Sequence, residues 1–200
     1  MRVANYLVHG ELGNPELIQF LSEEIGLYGS SDAARIVLHI NSPGGDLITA
    51  IQAINLIRSS PIPVLTIVNG SAESAALLLL MSGHKRAAFY NSFGMAHHLS
   101  TALEGSYHGI RKSIEQLNVL DKTMTQLWKQ FTNLDEKTIK EKMMGLHDTY
   151  LDAKDLKRYN IIDEVLTSGT DLLKFIERPL NDQEKTTKRV RRVSFTEVEG

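Results

Sequence analysis

Three places in the chain hold residue types that could carry acyl-transfer chemistry. The first is Gly70-Ser71-Ala72-Glu73-Ser74-Ala75-Ala76, a small-residue turn between VLTIV and the apolar run AALLLLM. A serine at a strand-to-helix turn sits at a helix N-terminus, where free backbone N–H groups can stabilise a developing oxyanion. Taken alone, Ser74 reads more readily as a plain N-cap. The second is Asn41-Ser42-Pro43-Gly44-Gly45, where paired glycines permit a backbone shape that aims N–H groups at a ligand, or simply make a βα turn. The third is His97, beside His98. A histidine can serve a serine as general base near neutral pH, and it needs a carboxylate to hold its tautomer. Asp148 is one candidate, but the chain has 24 Asp and Glu residues, so composition cannot choose. The alternative for His97 is a satisfied, half-buried histidine. Adjacent histidines do not share a face, so His97-His98 is not metal-ligand spacing.

These residues need strands and helices to hold them. Val3 to His9 reads as a strand, and Asn14-Pro15-Glu16 as a helix start with Leu17, Ile18, Leu21 and Ile25 behind it at helical spacing. Arg35 to Ile40 is a β-branched strand that runs into the glycine turn. Leu47, Ile48, Ile51, Ile54, Leu56 and Ile57 predict a helix that Pro61 and Pro63 stop. Val64 to Val68 predicts a strand and Ser74 to Ser82 a helix. The alternation argues for an α/β fold with parallel strands and right-handed crossovers. Short apolar stretches follow at Ala87 to Tyr90 and Phe93 to His97, then a polar segment, Ser100 to Gly109. From Ile110 to Phe131, apolar residues recur at threes and fours, which predicts one long helix with a single stripe. Shorter helices are expected near Asp135 to Met143 and Asp152 to Tyr159, and a closing strand or turn at Ile161 to Leu166. Residues 181–200 read as a flexible tail, with five basic and no acidic residues between Lys185 and Arg192.

The bulk properties narrow the function classes. Two hundred residues make one ordinary domain. With 22 basic and 24 acidic residues the net charge is −2, so no global field favours nucleic acid or a membrane surface. The absence of cysteine excludes disulfides, thiolate metal sites and thiol nucleophiles. No apolar run reaches membrane-spanning length and the first residues lack a signal-peptide core. The expectation is a cytoplasmic protein without cofactor or metal, binding neither nucleic acid nor membrane.

Together the motifs resemble the Clp-protease (ClpP) family. INSPGGDLITAIQAINLI (Ile40 to Ile57) is similar to that family's oxyanion-turn segment, and NGSAESAALLLLMSGHKR (Asn69 to Arg86) to its nucleophile segment. NSFGMAHH (Asn91 to His98) resembles its histidine segment, and HDTYLDAKDLKRYNIIDEVL (His147 to Leu166) its aspartate segment. The likeness runs from Val3 to Leu166, in order and at near-equal spacing. It implies a ClpP/crotonase-like spiral of β-α units over residues 1–180, with a protruding handle at about 98–132 and a strand-like segment at Ser100 to Gly109 that aligns substrate. By position it implies Ser74 as nucleophile, His97 as general base and Asp148 as orienting acid, with the backbone N–H groups of Gly45 and Ala75 as oxyanion donors.

The same resemblance implies a homo-oligomeric ring of six or seven subunits, a stacked double ring, polypeptide substrates and a Clp-type ATPase partner. The chain departs from the family pattern at Glu73 (usually alanine), His98 (usually glutamine) and His147 (usually an arginine tied to ring stacking), and it lacks the usual glycine pair of the handle strand. It also starts close to the first strand, which leads to the expectation of no axial loops and no ATPase docking through them. Two readings of other kinds stand beside peptide hydrolysis, a non-catalytic ring subunit or scaffold and a crotonase-like acyl-CoA enzyme on the shared superfold; within hydrolysis, a phage-type capsid or scaffold maturation protease is the minor alternative.

Overall fold

β-Branched runs become strands and the stretches between them become helices, in the computed structural model, which describes residues 2–28 and 34–180. In chain order these are β1 (Arg2–His9), α1 (Glu16–Tyr28), β2 (Ala34–Ser42), α2 (Leu47–Ser59), β3 (Val64–Glu73), α3 (Ala75–Met81), β4 (Lys85–Phe89) and β5 (Phe93–Ala96). Then follow α4 (Tyr107–Phe131), α5 (Glu136–Thr138) running into a π turn (Ile139–Met143), β6 (Thr149–Asp152), α6 (Ala153–Arg158), β7 (Glu164–Leu166) and α7 (Gly169–Glu177). The predicted tail, residues 181–200, lies outside the described residues.

The strands form one seven-stranded sheet in the order β1-β2-β3-β4-β7, with β5 joined to β3 and β6 joined to β5. Every pairing is parallel except β5 with β6. Parallel strands need crossovers, and the helices supply them. Both faces of β2 and β3 are covered, so these strands are apolar almost throughout. One face carries the main core, with Leu38, Ile40 and Val68 under Leu21, Ile54, Ile57, Leu77, Leu80 and Trp128. The other carries Val37, Leu65, Ile67 and Ala87 under Phe175 of α7. Lys85 is fully buried on that second side. Its Nζ donates to the Phe175 carbonyl and lies 4.4 Å from the Phe175 ring centroid, so the charge is met by a helix-end carbonyl and a ring face.

Several expectations change on contact with the structure. β3 does not stop at Val68 but continues to Glu73, through a register shift against β2 between Ile40 and Ser42. Its first half pairs with β4 and its last residues with β5. Residues 97–106, expected to include a strand, have no regular structure and pair with none of the described strands. The long helix is present, capped by Ser106 accepting from Gly109 N. Its C-terminal residues Met124, Trp128 and Phe131 are buried, while Tyr107, Ile114 and Val119 towards its start are exposed. No helix among the described residues is long and apolar enough to cross a membrane.

Candidate active site

Strand register alone brings the three singled-out side chains into a row. Glu73 at the end of β3 is paired with Met95 of β5, and Ser74 N donates to the Met95 carbonyl at 2.8 Å. On the other edge of β5, Ala96 is paired with Thr149 of β6 in an antiparallel ladder. One further step places His97 opposite Asp148, since in an antiparallel ladder one number rises by one as its partner's falls by one. β5 therefore holds His97 between the serine on one neighbour and the aspartate on the other.

Ser74 does not behave as an N-cap. It has φ 53° and ψ −122° and its side chain makes no cap hydrogen bond. A non-glycine residue there is strained, and strain of that kind persists only when the surroundings over-determine it. Here the surroundings are the fully β-paired Glu73 before it and the entirely buried helix α3 after it. The turn throws Ser74 Oγ out to within 2.6 Å of His97 Nε2. The other ring nitrogen, Nδ1, lies 3.9 Å from Asp148 Oδ1, an ion-pair distance and longer than a hydrogen bond. The Asp148 side chain is 50% exposed and that of His97 26%. Among the described acidic residues, Asp148 is the one in ion-pair contact with His97.

The Gly44-Gly45 turn lies against the serine. Gly44 has φ 94° and Gly45 φ 132°. A Cβ on Gly44 would meet Glu73 O at 2.6 Å, Ser74 Cβ at 2.9 Å and Ala75 N at 3.1 Å, so only glycine allows this approach. Leu12 pins the turn from behind: Leu12 N donates to Gly44 O at 2.6 Å and Asp46 N to Leu12 O at 2.7 Å. With both flanking groups spent on Leu12, the N–H of Gly45 faces away from Leu12. Asp46 completes the anchor as N-cap of α2, its Oδ1 accepting from Thr49 N and Thr49 Oγ1 at 2.6 Å each. Those bonds, the Thr49 hydroxyl foremost, hold the Asp46 carboxyl below its usual range.

A cleft of about 300 Å³ opens at the serine, lined by Gly45, Ser74, Ala75 and His97 on one side and by Leu78, Leu117, Leu120 and Met124 on the other. Its apolar lining was not singled out in the sequence. The α4 stripe was legible as a stripe, yet nothing local said that its middle residues face a serine 43 or more positions earlier. Leu12 was missed too, since ELGNP carries no signal beyond a turn. A second cleft, of about 550 Å³, lies on the Asp148 side of His97 and is lined by Lys140, Met144 and Leu146. Residues 97–100 form the partition between the two. Chemically, the arrangement offers a hydroxyl hydrogen-bonded to an imidazole, a carboxylate next to that imidazole, and a glycine turn and helix start beside the hydroxyl. No group of three or more His, Cys, Asp or Glu side chains among the described residues could hold a metal ion.

Comparison with known proteins finds relatives of the chain as a whole. A profile of the Clp protease family matches residues 19–169. The chain is 29% identical over 161 residues to an ATP-dependent Clp protease proteolytic subunit of Pleurastrum terricola, covering 80% of this chain and 81% of that one. It is 31% identical over 139 residues to ATP-dependent Clp protease proteolytic subunit 1 of Streptomyces avermitilis, covering 68% and 63%. With ATP-dependent Clp protease proteolytic subunit 2 of Treponema denticola it shares 27% over 169 residues, 83% of each.

Proposed function

This chain belongs to the Clp protease family, and we propose that it is a serine endopeptidase that hydrolyses peptide bonds of unfolded proteins and peptides. The observation that carries the proposal is the strained Ser74 with its Oγ 2.6 Å from His97 Nε2, the contact a nucleophile–base pair requires. Ser74 Oγ attacks the scissile carbonyl carbon while its proton passes to His97 Nε2. The N–H groups of Gly45 and Ala75 receive the oxyanion. As the tetrahedral adduct collapses, the C–N bond breaks and His97 gives its proton to the departing amine, leaving an acyl-serine. Water then gives a proton to His97 and attacks the ester. The acid product leaves and the proton returns to Ser74 Oγ. Asp148 orients the imidazole and supports its charged form. At 3.9 Å it needs only a small closing movement, of the sort catalytic contacts make when substrate binds. No cofactor takes part.

The site works inside a homo-oligomeric ring of six or seven subunits, stacked as a double ring. Supporting this, α4 exposes Tyr107 and Ile114, seven residues apart on one face of the helix. Sedimentation reads the assembly directly, and a monomer at micromolar concentration would overturn it. The relatives are named ATP-dependent, so a Clp-type ATPase is the partner to test. The test of the chemistry is covalent: a fluorophosphonate should label the protein at Ser74, and Ser74→Ala should remove both labelling and peptide cleavage while leaving the circular dichroism spectrum intact. Cleavage that survives Ser74→Ala would refute the assignment.

A further inference from the structure

His97 is the first residue beyond β5, and the ten residues that follow Ala96 have no regular structure. A general base extending from such a segment needs its backbone held from elsewhere. One hold is Leu99, which packs against the main core. The other is the neighbouring side chain, His98, whose Nε2 lies 2.8 Å from Oδ1 of Asp121 on α4. Asp121 follows directly on Leu120, and Leu117, Leu120 and Met124 are the α4 wall of the serine cleft. His98, Leu99 and Ser100 line that same cleft and also the cleft on the Asp148 side. The His98–Asp121 pair thus ties the partition that carries His97 to the helix forming the opposite wall. It is the one ion pair among those described that joins residues 97–105 to α4.

From this juxtaposition we infer that His98 and Asp121 are positioning residues: their contact fixes the backbone bearing His97 and sets the spacing between partition and α4. Other charged groups face the pair. Lys140 lines the Asp148-side cleft with His98 and lies within electrostatic reach of Asp121, while Lys140 is itself bridged to Glu136. Asp148 is the remaining acid at that cleft. Lys140 is thereby occupied, which leaves His98 as the short-range partner of Asp121. The inference rests on Ser74 and His97 acting as nucleophile and base.

The measurement is the second-order rate of fluorophosphonate labelling, followed on the full chain alongside kcat and KM for a short fluorogenic peptide. His98→Ala and Asp121→Ala are each expected to slow labelling and lower kcat by about tenfold, because small displacements of a catalytic group are costly. The double variant should be no slower than either single one, since only one contact is lost. His98→Gln and Asp121→Asn, which keep a donor and an acceptor, should recover most of the rate. These conservative variants also guard against misfolding as the cause. Unchanged labelling in both alanine variants overturns the inference, as does an additive loss in the double variant. A wild-type protein that does not label at all refutes the hydrolase reading instead, and the two failures are therefore distinct.

Discussion

Replacing Gly44 by alanine separates backbone strain from damage to the site. At φ 94° any other residue is strained, which costs about 1–3 kcal/mol. For a chain of this size that corresponds to a fall in Tm of about 2–12 °C. The new methyl would also lie 2.6 Å from Glu73 O and 2.9 Å from Ser74 Cβ, both of them backbone or first side-chain atoms that cannot swing away. The turn must therefore retreat from the serine and take the Gly45 N–H with it. Losing one oxyanion donor lowers kcat by about 10²–10³-fold. Gly10→Ala is the internal control. Gly10 has φ 76° but nothing within 4 Å of a built Cβ, so that variant should lose comparable stability and keep its activity. Thermal unfolding and peptide hydrolysis, run on both variants, read the two effects independently. Two results would refute the reasoning: a Gly44→Ala enzyme as fast as wild type, or equal activity losses in both variants.

Asp148→Asn should lower kcat by about 10²-fold, less than a buried triad acid would give, because this carboxylate is half exposed and lies 3.9 Å from His97; steady-state kinetics decide, and an unchanged kcat would remove Asp148 from the mechanism. Asp46→Ala should destabilise the protein by about 1 kcal/mol near neutral pH through loss of the α2 cap. The folded Asp46 carboxyl lies below its ordinary value of 3.8. Its contribution is therefore present above that pH and is lost as pH falls through the lower, folded value. The gap in Tm between wild type and Asp46→Ala should narrow on acidification from pH 6 to pH 3, and a gap that widens would contradict the cap.

The alternating strands and helices of the first half were legible because each is a local apolar run of the right period. What escaped was set by pairing partners distant in sequence. Asn69-Gly70-Ser71 reads as a turn, yet it continues β3, since β5 offers an edge to Ser71, Ala72 and Glu73. The sequence assigns Thr149 to Leu151 no element and Asp152 a helix start, and only the antiparallel register with β5 makes Thr149–Asp152 a strand. That register is also what singles out Asp148, which no local property distinguishes from the other acids. α7 begins with Gly169-Thr170-Asp171, a loop-like start, and is stabilised by docking Phe175 on the second core and Lys85. The motif glycines were readable as special, whereas the Leu12 contacts that need them were not.

The backbone angle at Ser74 has an evolutionary consequence. Glycine would occupy φ 53° without strain, so a chain with glycine there would hold its fold more firmly, by up to about 1–3 kcal/mol, and could not attack a carbonyl. Mutation therefore always has a stabilising exit from this position, and under the proposed function it is selection for hydrolysis that keeps it closed. In a lineage that keeps the ring and abandons the chemistry, position 74 is among the first places where relaxation to glycine is expected, ahead of His97 or Asp148, whose backbones hold no comparable strain. The identity of this one residue then distinguishes a subunit still under selection to cut from one retained to build.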